Sequence, residues 1–266
     1  MTESCTGIIA DVQYDKDEEG EGDDEDEYLA CETKSGMIYK VNAANKSFLK
    51  EKFKKGGFKS GETELSFDDD ATIDEASATI NSNTPPGLAK KKKPNQQRNL
   101  AQVEGDISVL VVRVVASDGA TSISQSALSD SVFGNNADGN GADAVNLKSQ
   151  YAECSHNKLN FIEASDRTGT STSIANGSTT VTVTTSTTDG DGVMRNAITA
   201  ELNSQFGVSS PTQLAKHVMY CLPSGTMSGI AYAYINSWNS VYSNQWCTYL
   251  SAQMHGEFTI TKSCYY

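Results

Sequence analysis

The chain has 266 residues, 37% of them hydrophobic, with 34 acidic against 21 basic residues for a formal charge of −13 and a mean hydropathy of −0.44. That length allows one medium domain with an extra segment, or two small domains. Nucleic acid is excluded as a partner, because the basic cluster Lys90 to Lys93 is short and lacks neighbouring aromatics, and no stretch approaches the ~20 apolar residues of a membrane-crossing helix.

The first residues, "MTESCTGIIADVQYD", show no basic region followed by an apolar core, so no secretory signal is readable. Short strand-like pieces follow in "CTGIIADVQY", "EYLACE", "GMIYKVN" and "TELSF". Between the first two, "DKDEEGEGDDEDE" sets ten carboxylates beside one lysine, a self-repelling run expected to be a solvated loop. It lacks the chelating periodicity of a calcium loop. Residues 1–84 thus form a β-rich segment. In 85–100, "PPGLAKKKKPNQQRN" combines Pro-Pro-Gly, lysines and amides and is expected to be an exposed linker. Cleavage at Lys93 or Arg98 would make the first segment a removable propeptide; without cleavage it is a plain interdomain linker.

From residue 101 the texture changes. "ISVLVVRVVASDG" is a valine-rich run of the kind buried on both faces of a sheet. "SISQSALSDSVFG" and "AVNLKSQYAEC" have helical spacing, and "KLNFIEA" and "STTVTVTTST" have strand character. In "VMRNAITAELNSQFG", Val193, Ala197, Ile198, Leu202 and Phe206 recur three to four apart and Gly207 sits where a C-cap belongs. "AKHVMYCL" and "GIAYAYI" are strands again. The final helix is expected in "SNQWCTYLSAQMH", capped by Ser243 or Asn244, with Tyr242, Trp246, Tyr249, Leu250 and Met254 as its apolar stripe. This alternation predicts α/β to α+β architecture, a mixed sheet with covering helices.

Six cysteines, Cys5, Cys31, Cys154, Cys221, Cys247 and Cys264, show no C-x-x-C spacing, which argues against a zinc ribbon and leaves disulfides open. Sequons stand at Asn45 and Asn176.

Several blocks, "VLVVRVVASDGATS", "LSDSVFG", "VNLKSQYAECSHNKLNF", "RNAITAELNSQFGVSSPTQLAKHVMYCLPSGT", "GIAYAYINSW" and "WCTYLSAQMH", resemble the gametolysin-type zinc metallopeptidases, a metzincin-like family. The resemblance covers roughly residues 107–255, and residues 1–84 are similar to the prodomains of such proteins. It implies a secreted zinc endopeptidase acting on extracellular-matrix or cell-wall glycoproteins, with 101–255 as the N-terminal part of the peptidase domain and Zn²⁺ as cofactor. The family's chemistry needs His-Glu-x-x-His on a helix, two imidazoles four residues apart on one face and a Glu acting on a zinc-bound water, with a third His beyond a Gly turn. His255 matches the first ligand. Gly256 stands where the Glu belongs, Thr259 where the second His belongs and Tyr265 where the third belongs, while Glu257 is about 100° around the helix from the required position.

His255 is therefore the one candidate metal ligand, its bland role being a helix-end imidazole at the negative end of the helix dipole. One imidazole does not hold zinc stably, and no residue is assigned as catalytic. His217, in a strand-like run, is expected to be structural and partly buried; His156, in a polar turn, is expected at the surface. The divergent tail 256–266 is expected to be translated intron, since Gly256-Glu257-Phe258 back-translates to a splice-donor-like sequence. The expected function is that of an inactive peptidase-related chain, with a protein or glycoprotein substrate implied by the family and the oligomeric state left open. The alternative is a pseudoenzyme or peptide-binding module in which "GIAYAYI" offers an edge for β-augmentation. A Ser/Thr/Gly-rich adhesion module is disfavoured by the two long helical patterns. Residues 99–266 alone are expected to be poorly soluble, with Tyr242, Trp246, Leu250 and Met254 partly unsupported.

Overall fold

The computed structural model of the protein describes residues 5–13, 27–42, 58–90, 104–142 and 145–247. The first strand-like stretch is β1 (Cys5–Gln13), antiparallel to β2 (Glu27–Glu32), which pairs in turn with β3 (Ile38–Val41). Ile8 and Ala10 enter one core and Ile9 another, as the two-residue period of a strand requires. β4 (Thr63–Ser66) adds to β1; β5 (Thr72–Asp74) and β6 (Thr79–Asn81) extend the sheet beyond β3; β7 (Gly87–Lys90) pairs with β4. β7 corrects part of the linker expectation: Leu88 registers opposite Leu65 and Pro86 is buried, so residues 87–90 belong to the sheet. Residues 91–100, nearly all of the acidic run, Asn45 and the tail 256–266 lie outside the described residues.

β8 (Gly105–Val115) is the expected valine-rich strand. After it come α1 (Gln125–Phe133), α2 (Leu147–Cys154), β9 (Leu159–Glu163), the two-residue strands β10 (Arg167–Thr168) and β11 (Ser173–Ile174), β12 (Ser178–Thr182), α3 (Asp191–Phe206), β13 (His217–Cys221), β14 (Ala231–Ile235) and β15 (Asn239–Tyr242). β12 and β13 flank β8 in parallel, β9 runs parallel along its first half, and β15 is parallel to β13. β14 reverses direction against β15 and is antiparallel to β1 on its other side, which joins all the strands but β10 and β11 into one 13-stranded mixed sheet; those two pair only with each other. The architecture is mixed α/β.

Leu110, Val112 and Val114 share a core with Met194, Ile198, Leu202 and Phe206 of α3, whereas Val109 and Val111 pack with Leu128 and Val132 of α1. Helices on both faces explain why β8 carries no polar alternation. The charge within its valine run, Arg113, is spent on the loop beyond, donating to the carbonyls of Ile123 (2.7 Å) and Thr121 (2.9 Å). The helix ends follow capping chemistry: Ser124 caps α1, Asn146 and Ser149 form a reciprocal box at α2, and Gly207 ends α3 at φ 60°. The α3 stripe is shifted slightly from expectation, since Val193 and Ala197 are only half-buried while Met194, Arg195, Asn196 and Thr199 are buried.

The exposed Asn176 and the buried Gly177 turn the chain between Ala175 and Ser178, at φ 52° and 69°. A Cβ on Gly177 would lie 2.6 Å from the Phe133 ring, so this position needs glycine for both conformation and space. Gly139 has a similar φ of 78° but open surroundings. Gly177→Ala is expected to destabilise the protein by about 3 kcal/mol and Gly139→Ala by about 1 kcal/mol, compared by urea unfolding. Equal losses would show that the Phe133 contact gives way freely.

Candidate functional site

The element that leads toward His255 begins at a corner. β15 ends at Tyr242, Ser243 caps the next turn through Trp246 N–H to Oγ (3.3 Å) and Cys247 N–H to its carbonyl (3.1 Å), and Asn244 to Cys247 are helical. Ser243 thus fills the cap position. Asn244 instead ties this turn to the loop after β8, its Oδ1 accepting from Ser122 N–H at 2.7 Å and Ser122 Oγ at 3.1 Å. A disulfide, Cys221–Cys247, fastens the turn to the end of β13. Tyr242 departs from the expected helical stripe because it is the last residue of β15; with Trp246 it packs against the core of Val109, Leu128, Phe133 and Met219. These two aromatics are half-buried against the sheet; Tyr249, Leu250, Met254 and His255 lie outside the described residues.

The other two histidines fall where expected. His156 is exposed in the turn after α2, at φ 55°. His217 opens β13, half-buried, with Nε2 2.8 Å from Ser240 Oγ. Among the described residues no three His, Cys, Asp or Glu side chains are grouped to hold a metal. The described residues do not by themselves make up a zinc site. Burial lowers His217 to about 4, below the ~6.5 of an unfolded histidine. The folded state therefore keeps the ring neutral while the unfolded chain takes a proton, and stability drops as pH falls from about 6.5 to 4. The urea midpoint is expected to fall between pH 7 and pH 4.5 more in the parent protein than in His217→Gln; parallel slopes would remove His217 as the cause.

The alternative reading, in which β14 offers an edge to a peptide, meets a strand already paired on both sides. Ile9, Ala10, Asp11, Val12 and Gln13 register against Ile235, Tyr234, Ala233, Tyr232 and Ala231, while β15 takes the other side. The physical reason is the period of two: Tyr232 and Tyr234 turn one face of β14 into the α3 core, and Ile8 and Ala10 of β1 continue that face. Around this strand pair the N-terminal strands are tied down by polar side chains. Glu32 accepts from Ser237 Oγ and Trp238 Nε1, both at 2.9 Å, and Ser60 Oγ donates to the Ile235 carbonyl at 2.5 Å. Asn196 of α3 meets Ile38 like a strand neighbour, its Oδ1 accepting from Ile38 N–H and its Nδ2 donating to Ile38 O, both at 3.0 Å.

Beside Asn196, the Arg195 guanidinium is buried. It donates to the Tyr234 hydroxyl and to Ile38 O, with Tyr232 Oη at 3.4 Å, and lies 5.4 Å from the Tyr234 ring centre. Burial opposes its charge, but Tyr234, Tyr232, Tyr28 and Asp191 outweigh this and hold the cation more firmly than usual. Burial also pushes Tyr28, Tyr232 and Tyr234 up, so all three hydroxyls stay protonated at neutral pH. Sequence reasoning passed over Arg195, Asp191, Lys40 and Glu32. The available signal was a charge adjoining Met194, on the buried face of a helical stripe.

No protein-family model, curated protein or solved structure matches the chain. The geometry itself yields a test of the covered strand. Neighbouring amides on β14 point to opposite sides, so Tyr232 and Ala233 are both expected to exchange slowly in hydrogen-exchange mass spectrometry or NMR. Loop-like exchange at either one would restore β14 as an edge.

Proposed function

We propose that the chain carries the prodomain-like module and N-terminal sheet subdomain of a secreted zinc endopeptidase of the gametolysin type, directed at extracellular-matrix or cell-wall glycoproteins, and that residues 1–266 are catalytically silent. The observation that carries this reading is β1 lying antiparallel along β14. A peptide recognised by strand addition takes such a position on the last strand of a sheet, and here the chain's own first strand holds it. Support comes also from the parallel set β12, β8, β13 and β15 followed by a reversed β14, with helices on both faces and a helix starting directly after β15. The disulfides Cys5–Cys31 and Cys221–Cys247 accord with an oxidising, extracellular setting.

Silence follows from the ligand count. Water activation at zinc uses three protein ligands and a neighbouring base, and around His255 the corresponding positions hold Gly256, Thr259 and Tyr265. A β14 paired on both sides weighs against the free peptide-binding module. The chain, equilibrated with zinc and desalted, is expected to retain far less than one zinc per molecule and to leave gelatin intact. One tightly held zinc with turnover would overthrow the assignment of silence.

A further inference from the structure

The sequon Asn176-Gly177-Ser178 lies in the turn that leads into β12, and its three residues differ in their surroundings. Asn176 is exposed, whereas Gly177 is buried against Phe133 and Ser178 is 1% exposed. The backbone of Asn176 is engaged on both sides: its N–H donates to Asp166 Oδ1 at 3.2 Å and its carbonyl accepts from Ser129 Oγ at 2.5 Å. Its side-chain amide has no hydrogen-bond partner among the described residues. Asparagines at a similar positive φ in two other loops spend their amides locally, Asn136 Oδ1 accepting from Gly141 N–H at 2.7 Å and Asn236 Nδ2 donating to Ser60 O at 3.2 Å. Two successive residues at positive φ explain an Asn-Gly pair as turn chemistry, but Asp or Gly at the first position would serve the backbone as well. The exposed, unengaged amide of Asn176 is the part that the fold does not use.

We propose that Asn176 is an N-glycan acceptor, modified as the chain enters the secretory pathway and before β12 joins the sheet; this rests on the secreted setting inferred above. The co-reactant is an oligosaccharide carried on a lipid pyrophosphate. The bond from its anomeric carbon to the pyrophosphate oxygen breaks, a bond from that carbon to Asn176 Nδ2 forms, one amide proton is lost to base, and the lipid pyrophosphate departs. The timing follows from Ser178. Transfer requires the hydroxyl two residues after the asparagine, and in the folded chain that hydroxyl donates to Ala175 O at 3.1 Å in a residue shut off from solvent, at the start of the ladder to β8. The unfolded chain presents it freely. Folding then leaves the sugar on an exposed residue whose amide gives up no bond. β8, β13 and β15 separate β12 from β14, about 19 Å at ~4.8 Å per strand, so the sugar leaves the junction of β1 and β14 uncovered.

The test uses the full chain behind an added secretion signal in a eukaryotic cell, with Asn45→Gln so that the Asn176 sequon alone remains. Because the signal sets the route, a negative result counts against the acceptor and not against the endopeptidase reading, which the zinc and gelatin measurement decides. Peptide N-glycosidase in heavy-oxygen water is expected to lower the mass of the secreted chain and to leave a labelled aspartate in place of Asn176 in most molecules; the label separates this from spontaneous deamidation. Asn176→Asp, which keeps a residue tolerant of positive φ, and Ser178→Ala are each expected to lose the whole mass shift. If Asn176→Asp is not secreted, Ser178→Ala decides. In a second arm the folded, unglycosylated chain is offered to the transferase with its lipid-linked donor, and is expected to be refused until it is reduced and unfolded. A secreted chain without sugar at Asn176, or a mass shift that survives either variant, would overturn the acceptor; equal modification of folded and unfolded chains would overturn the timing.

Discussion

Everything on the N-terminal side of the sheet depends on one antiparallel strand pair, β1 against β14. β14 ends the strands contributed by residues 105–247, and the N-terminal strands reach that set through the five-residue register of Ile9 to Gln13. Main-chain pairing of that length is sequence-tolerant, so specificity has to come from side chains at its flanks. They are polar: the buried Asn196 imitates a neighbouring strand at Ile38, the buried Arg195 takes the same carbonyl, and the half-buried Glu32 receives both Ser237 and the Trp238 indole. Each of these groups loses water on burial and recovers it only in the correct register, which penalises a slipped pairing more than an apolar contact would.

How much of this was legible follows from what each element is made of. β8 and α3 announce themselves because their own periodicity, valine after valine or an apolar residue every three to four, is set by burial on faces they largely satisfy alone. β15, with its Asn-Ser start, is different: Asn239 and Ser240 are buried polar residues whose partners, the Val218 carbonyl and the His217 ring, lie on another strand. β7 hid behind Pro-Pro-Gly and the lysines, because only its pairing with β4 makes it a strand. Tyr242 was assigned to the helix since its spacing to Trp246 fits a helix equally well, and only the pairing with Cys221 and Ala231 separates the two. The alternative of a free edge at β14 was open on paper for the same reason: whether a strand is an edge is a property of its neighbours, here a segment over 200 residues earlier in the chain.

The candidate site divides likewise. Local chemistry sufficed to place His156 in an exposed turn and His217 in a half-buried strand. The setting of Arg195 was beyond reach, as its neighbours come from separate stretches, and a buried cation in a helix looks on paper like an ordinary solvated one. His217 and Arg195 also show one burial penalty reaching opposite outcomes. The imidazole surrenders its charge because it has a neutral partner in Ser240 and nothing else to gain. The guanidinium keeps its charge because hydroxyl and carbonyl dipoles surround it.

Cys5–Cys31 joins β1 to β2, and Cys221–Cys247 joins β13 to the turn after β15; each closes a sequence separation of 26, worth about 3.5 kcal/mol of chain entropy in a loop of that length. Both bridges stay within their own half of the sheet. Neither spans the junction of β1 and β14. If the backbone between β7 and β8 were cut, the two halves would each remain cross-linked, and what had been a tethered contact at millimolar effective concentration would become an ordinary association of two bodies, open to separation by dilution.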